Sequence, residues 1–115
     1  MTPEGKVKAQ IDAYLKLLAA EGLLRFFKPQ NMGMGESGVS DFIGVYLGDG
    51  FALEVKRGDG MRSVATPWQW RFLQEWREAG GQAGVVRSVD DVTQVLHDTI
   101  PFKRPIDVLQ PDRTE

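Results

Sequence analysis

Residues 40–56 read SDFIGVYLGDGFALEVK. Two runs rich in β-formers, Phe42 to Leu47 and Phe51 to Val55, flank Gly48-Asp49-Gly50, the pattern of a β-hairpin. Asp41, Glu54 and Lys56 place charge where a buried strand should have none. Side chains alternate across a strand, so Ala52, Glu54 and Lys56 share one side, and Leu53 and Val55 the other. A four-residue loop over 47–50 pairs Tyr46 with Phe51. It sets Asp41 opposite Lys56 and diagonal to Glu54, roughly 7–8 Å away. A two-residue Asp49-Gly50 turn would instead separate Asp41 from Glu54 by about 13 Å along the strand. The first register is the one expected. Two carboxylates and an ammonium on a half-buried face are costly unless they bind something, and hard oxygen ligands suit Mg²⁺ or Mn²⁺.

Both faces of the hairpin carry apolar residues. Ile43, Val45 and Ala52 lie on the Glu54 side, and Phe42, Tyr46, Leu53 and Val55 on the other. Such a sheet is covered on both faces, as in α/β layering, with the charges at one open edge of the core.

The flanks supply the covering helices. Thr2-Pro3 reads as N-cap and N1 of a helix whose apolar face is Val7, Ile11, Tyr14, Leu15 and Leu18, ended by Gly22. Glu4 sits at the rim of that face, and a first-turn acid also suits the helix dipole. Leu24 to Lys28 is a first strand. Asn31 to Gly38 is glycine-rich: either a flexible connection or backbone able to approach a ligand. The loop Arg57 to Arg62 offers two arginines for phosphate or for solvent. Thr66-Pro67-Trp68-Gln69 opens a second helix through a capping box. Its expected core face is Trp68, Phe72, Leu73 and Trp76. Trp70 falls off that face, either as an interface residue or as a loosely packed peripheral one. Gly80-Gly81 stops this helix, Gln82 to Arg87 is a further strand, and Ser88 caps a third helix with Val89, Val92, Val95, Leu96 and Ile100 inward. Asp90 and Asp91 fill its first turn, and His97 reads as a surface residue. Residues 1–100 form one domain, and 101–115, with three prolines, an extended tail that is either disordered or laid across a partner subunit.

Asp41, followed thirteen positions later by Glu54-Val55-Lys56, resembles the D…ExK signature of the PD-(D/E)XK nuclease superfamily. With Glu4 in the first helix, the glycine-rich segment before Asp41, Gln69 opening the helix after ExK, and Gly84 to Asp91 closing the pattern, residues 3 to 100 resemble the virus-type replication–repair nuclease (VRR-NUC) family in its small stand-alone form. Ser40 stands where the superfamily motif has proline. The resemblance implies a restriction-endonuclease-like α/β core, with a central mixed sheet of about four strands flanked by helices. It implies Mg²⁺ or Mn²⁺ held by Asp41, Glu54 and the backbone carbonyl of Val55. Lys56 would orient water or stabilise charge, with Gln69 and Glu4 as secondary residues at the site. The expected activity is endonucleolytic cleavage of DNA, on branched substrates such as four-way (Holliday) junctions, by a homodimer in a phage or bacterial host cytoplasm. A sequence-specific restriction or homing-type endonuclease and a catalytically idle nucleic-acid-binding scaffold are the alternatives.

Composition fits this frame. Apolar residues at 42% and charged residues at 26% are those of a soluble globule. The chain has no cysteine, which excludes disulfides and thiolate metal sites. No apolar run approaches a membrane span. Net charge is −2, but residues 90–115 carry −3, leaving the rest near +1. Lys6, Lys8, Lys56, Arg57 and Arg62 could then gather, so a DNA partner is permitted by charge rather than demanded by it.

Overall fold

The structure, a computed structural model, describes residues 1–30, 38–58 and 63–98 and the backbone of 106–107. Eight elements follow in order: α1 (Pro3–Ala20), β1 (Leu24–Phe27), β2 (Phe42–Tyr46), β3 (Asp49–Val55), α2 (Pro67–Glu78), β4 (Gln82–Val86), α3 (Val89–Leu96) and β5 (Ile106–Asp107). The sheet runs β1-β2-β3-β4-β5. The β1–β2 and β2–β3 pairs are antiparallel, and β3–β4 and β4–β5 are parallel. The expected α/β core with a mixed sheet of about four strands is present. A two-residue fifth strand, drawn from the segment expected to be an extended tail, either disordered or laid across a partner subunit, pairs with Gly84 and Val85 at its edge.

Two cores flank the sheet because both faces of β3 are apolar. On one face, Val7, Ile11 and Leu15 of α1 and Val92, Val95 and Leu96 of α3 pack on Phe42, Phe51, Leu53 and Val55. On the other, Phe72 and Leu73 of α2 pack on Ala52, Ala83 and Val85. The helix starts match local chemistry: Thr2, Thr66 and Ser88 each accept a backbone N–H from their own first turn. At the far end of the second core, Arg77 and Asp98 form a buried ion pair at 2.6 Å, and the Gln82 side chain donates to the Asp98 carbonyl.

Two expectations are corrected. The hairpin turn is Leu47-Gly48, not 47–50 or Asp49-Gly50, and Tyr46 pairs with Asp49. Both turn residues have positive φ, +50° and +92°, the geometry of a type I′ turn whose twist matches paired strands. Leucine is an unfavourable occupant there, which hid the turn, while Asp49-Gly50 resembled one but lies in β3. The register therefore differs by two from that expected, so Asp41 follows on from the pairing as the neighbour of Glu54 rather than of Lys56. A shift of two preserves which face each side chain occupies, so the division of residues between the two cores holds. On α2 the tryptophans exchange roles. Trp68 is 58% exposed, whereas Trp70 is half-buried against the α2 core. At 3.6 residues per turn, Trp68 lies roughly 140° from Leu73 and Trp70 about 60°.

The glycine-rich residues 31–37, and Arg62 and Ile100, lie outside the described residues. Gly38, the last of that segment, has φ +78° and sits against the Trp68 carbonyl, where a Cβ would collide with backbone. The chain entering Asp41 is thereby seated on the first turn of α2.

Leu47→Asn should stabilise the protein by about 1 kcal/mol by relieving the left-handed leucine. Leu47 is 64% exposed, so no core contact is lost. Urea midpoints at constant slope would check this, and a lower midpoint for the variant would count against the Leu47-Gly48 turn.

Candidate active site

The β2–β3 ladder ends at Phe42 and Leu53. Two residues beyond, the Val55 N–H donates to Asp41 Oδ2 at 2.8 Å, a side chain taking the place of a strand. Glu54 emerges on the α2 face and is 3% exposed. Its Oε2 accepts from Gln69 Nε2 at 3.0 Å and lies 3.6 Å from Lys56 Nζ. Lys56 is itself 8% exposed, and its N–H continues the parallel ladder to the Val86 carbonyl at 3.0 Å. Asp41, Glu54, Lys56 and Gln69 thus meet at the carboxyl ends of the parallel strands, where open α/β sheets present their ligand crevices.

Gln69 has two duties at once. Its Oε1 accepts from the Thr66 N–H at 2.9 Å in the capping box, which fixes the amide orientation and turns Nε2 toward Glu54. The sequence reveals the cap; the bond to Glu54 follows only once α2 crosses β3.

Glu54 is the unsettled member. Among the described residues its Oε1 is buried without a hydrogen-bond partner. Burial, then the Asp41 charge, pushes its carboxyl up to about 8, against the opposing pull of Lys56. Two carboxylates are both acceptors, so neither satisfies the other without a proton or a cation between them. Ser40, in the position of the motif proline, is also buried, with its Oγ unpartnered among the described residues.

Lys8, which the sequence offered only as one of five basic residues that could gather, joins the acids directly. From the second turn of α1 its Nζ lies 3.2 Å from Asp41 Oδ1 and 3.4 Å from Glu4 Oε2. Burial works against the Lys8 charge, but Asp41 and Glu4 outweigh it and hold its pKa above the usual value. Glu4 is joined to Asp41 through this ammonium. The i,i+4 spacing of Glu4 and Lys8 is the one local signal, and by itself it points to a helix-surface pair rather than to a link to Asp41. Arg57 is half-buried beside β3, and Lys6 is exposed on α1. His97 is exposed, as expected, with its Nε2 3.3 Å from the Tyr46 hydroxyl. Asp91 is more than a dipole acid: it is buried, and its Oδ2 accepts from the Arg87 N–H at 2.8 Å.

No family model matches the chain, and no curated protein sequence does either. A solved structure described as a VRR_NUC domain superposes with a TM-score of 0.64 at 23% identity, covering 87% of this chain and all of the other. The fold is that of a VRR_NUC domain. Within that fold, among the described residues, no three acidic, histidine or cysteine side chains gather with metal-binding geometry. Asp41 and Glu54 are the two acids that meet at this end of the sheet.

Because the folded protein raises Glu54 from its ordinary 4.5 to about 8, the native state retains a proton that the unfolded chain releases. That stability is fully present below the ordinary value, declines as pH rises, and is lost through about pH 8. In chelator, native protein should lose a few kcal/mol between pH 5 and pH 8.5, and Glu54→Gln should flatten the slope. Urea titrations across pH measure it, and an unchanged slope in the variant would refute the assignment.

Proposed function

We propose that the protein is a divalent-metal-dependent nuclease that hydrolyses DNA phosphodiester bonds. The observation that carries this reading is the buried, unpartnered Glu54 Oε1 on a carboxyl repelled by Asp41, with the Lys56 ammonium 3.6 Å from its other oxygen. A pair of carboxylates so arranged is destabilised alone and stabilised by a hard cation, so the donor set fits Mg²⁺ or Mn²⁺. The VRR_NUC-type fold supports the same reading.

Asp41 and Glu54 would hold the cation. The Val55 carbonyl is the third candidate, since N–H and C=O of one strand residue face the same side and the Val55 N–H meets Asp41. When bound, the cation supplies acidification of water and neutralisation of phosphate charge. The chain supplies the rest. Gln69 holds Glu54 by one oxygen and leaves the other available. The Val55 N–H fixes Asp41. Lys56, anchored by β3, can donate to a phosphate oxygen as negative charge builds there, or orient the attacking water.

Among the described residues one such site is present per chain, so paired cuts on a branched duplex require two copies related by a two-fold axis. The reading is accordingly a homodimer acting on branched DNA, four-way junctions included. Trp68, exposed and with Arg71 6.0 Å from its ring, replaces Trp70 as the aromatic available for such contacts.

Matched linear, nicked and four-way-junction DNA should be incubated with Mg²⁺, Mn²⁺ or chelator. Cleavage should require the cation, favour the junction, and fall by about a hundredfold or more in Lys56→Ala. Cutting of ordinary duplex at one sequence would replace the junction reading with a restriction-type one. Folded protein that cuts nothing with either cation would overturn the nuclease reading.

A further inference from the structure

We infer that Lys8 occupies the position a second divalent cation would take, and so holds this site to one cation, an inference that rests on the reading of Asp41 and Glu54 as cation ligands. Two-cation phosphoryl-transfer sites set their ions about 3.5–4 Å apart across a shared carboxylate. Asp41 is the carboxylate placed to be shared here. Its charge acts on Glu54, and it shares with Glu4 the ammonium of Lys8, 3.2 Å from Asp41 Oδ1 and 3.4 Å from Glu4 Oε2. A lysine ammonium is a compact point charge with three donors, able to meet both acids at once.

Charge balance favours the same arrangement. Glu4, Asp41 and Glu54 face Lys8 and Lys56, leaving a single negative charge when all are ionised. One divalent cation and one phosphodiester charge bring that cluster to neutrality, whereas a second divalent cation would leave it at about +2 with Lys8 still in place. An ordinary i,i+4 helix pair would explain Glu4–Lys8 but not the shorter contact to Asp41, a residue of the strand layer 33 positions away.

The test is the number of Mn²⁺ ions bound per full-length chain without DNA, followed by calorimetry and by the electron paramagnetic resonance of free Mn²⁺. Wild type and Lys8→Arg should bind one. Lys8→Met, which keeps the aliphatic stem and removes the charge, should bind two, and Lys8→Met/Glu4→Gln should return to one. The Lys8 side chain is 42% exposed, so these variants should keep the wild-type circular dichroism spectrum. Two ions in wild type, or one in Lys8→Met, would overturn the inference and leave the Asp41–Glu54 cation site standing. No Mn²⁺ bound by wild type would overturn that cation site and the role of Lys8 with it.

Discussion

The structure turns on the burial of one carboxyl group. Glu54 lies at the end of the central strand with almost no access to solvent, and a lone carboxylate in such a place costs several kcal/mol. Gln69 and Lys56 satisfy one of its oxygens, and the other is left without a partner among the described residues. Asp41, carried to the same place by the start of β2, makes ionisation harder still. That two acids are kept together against this repulsion is what the proposed cation would explain.

The topology explains how the acids come together. β3 is antiparallel to β2 and parallel to β4, so its carboxyl end lies at the mouth of β2, where Asp41 enters, and beside the exit of β4. The helices on opposite faces aim their N-terminal turns at this end: α2 through Gln69, and α1 through Glu4 and Lys8. Gly38 packs the chain entering Asp41 onto α2, so residues 38–41 and the helix behind Glu54 are fixed to one another. The Arg77–Asp98 pair closes the opposite end of α2.

Much of this was legible in residue order. Period-two alternation sorted Glu54 and Lys56 from Leu53 and Val55, and that sorting survived a wrong register because the error was an even number of residues. The capping box at Thr66 and Gln69 was readable from four residues. What could not be read depended on contacts between distant segments. Leu47-Gly48 forms the turn although leucine disfavours it, since the paired strands on either side dictate the backbone there. Trp68 and Trp70 exchanged roles because the centre of a helix face depends on where the helix sits on the sheet. Lys8 meets Asp41, and Arg77 meets Asp98, across separations that carry no local signal.

The most direct test is a crystal of the protein soaked in Mn²⁺ without DNA, with anomalous differences recorded at the manganese edge. One peak within about 2–2.5 Å of carboxylate oxygens of both Asp41 and Glu54 is the predicted result. Density for manganese elsewhere, with those carboxyls unliganded, would contradict the account.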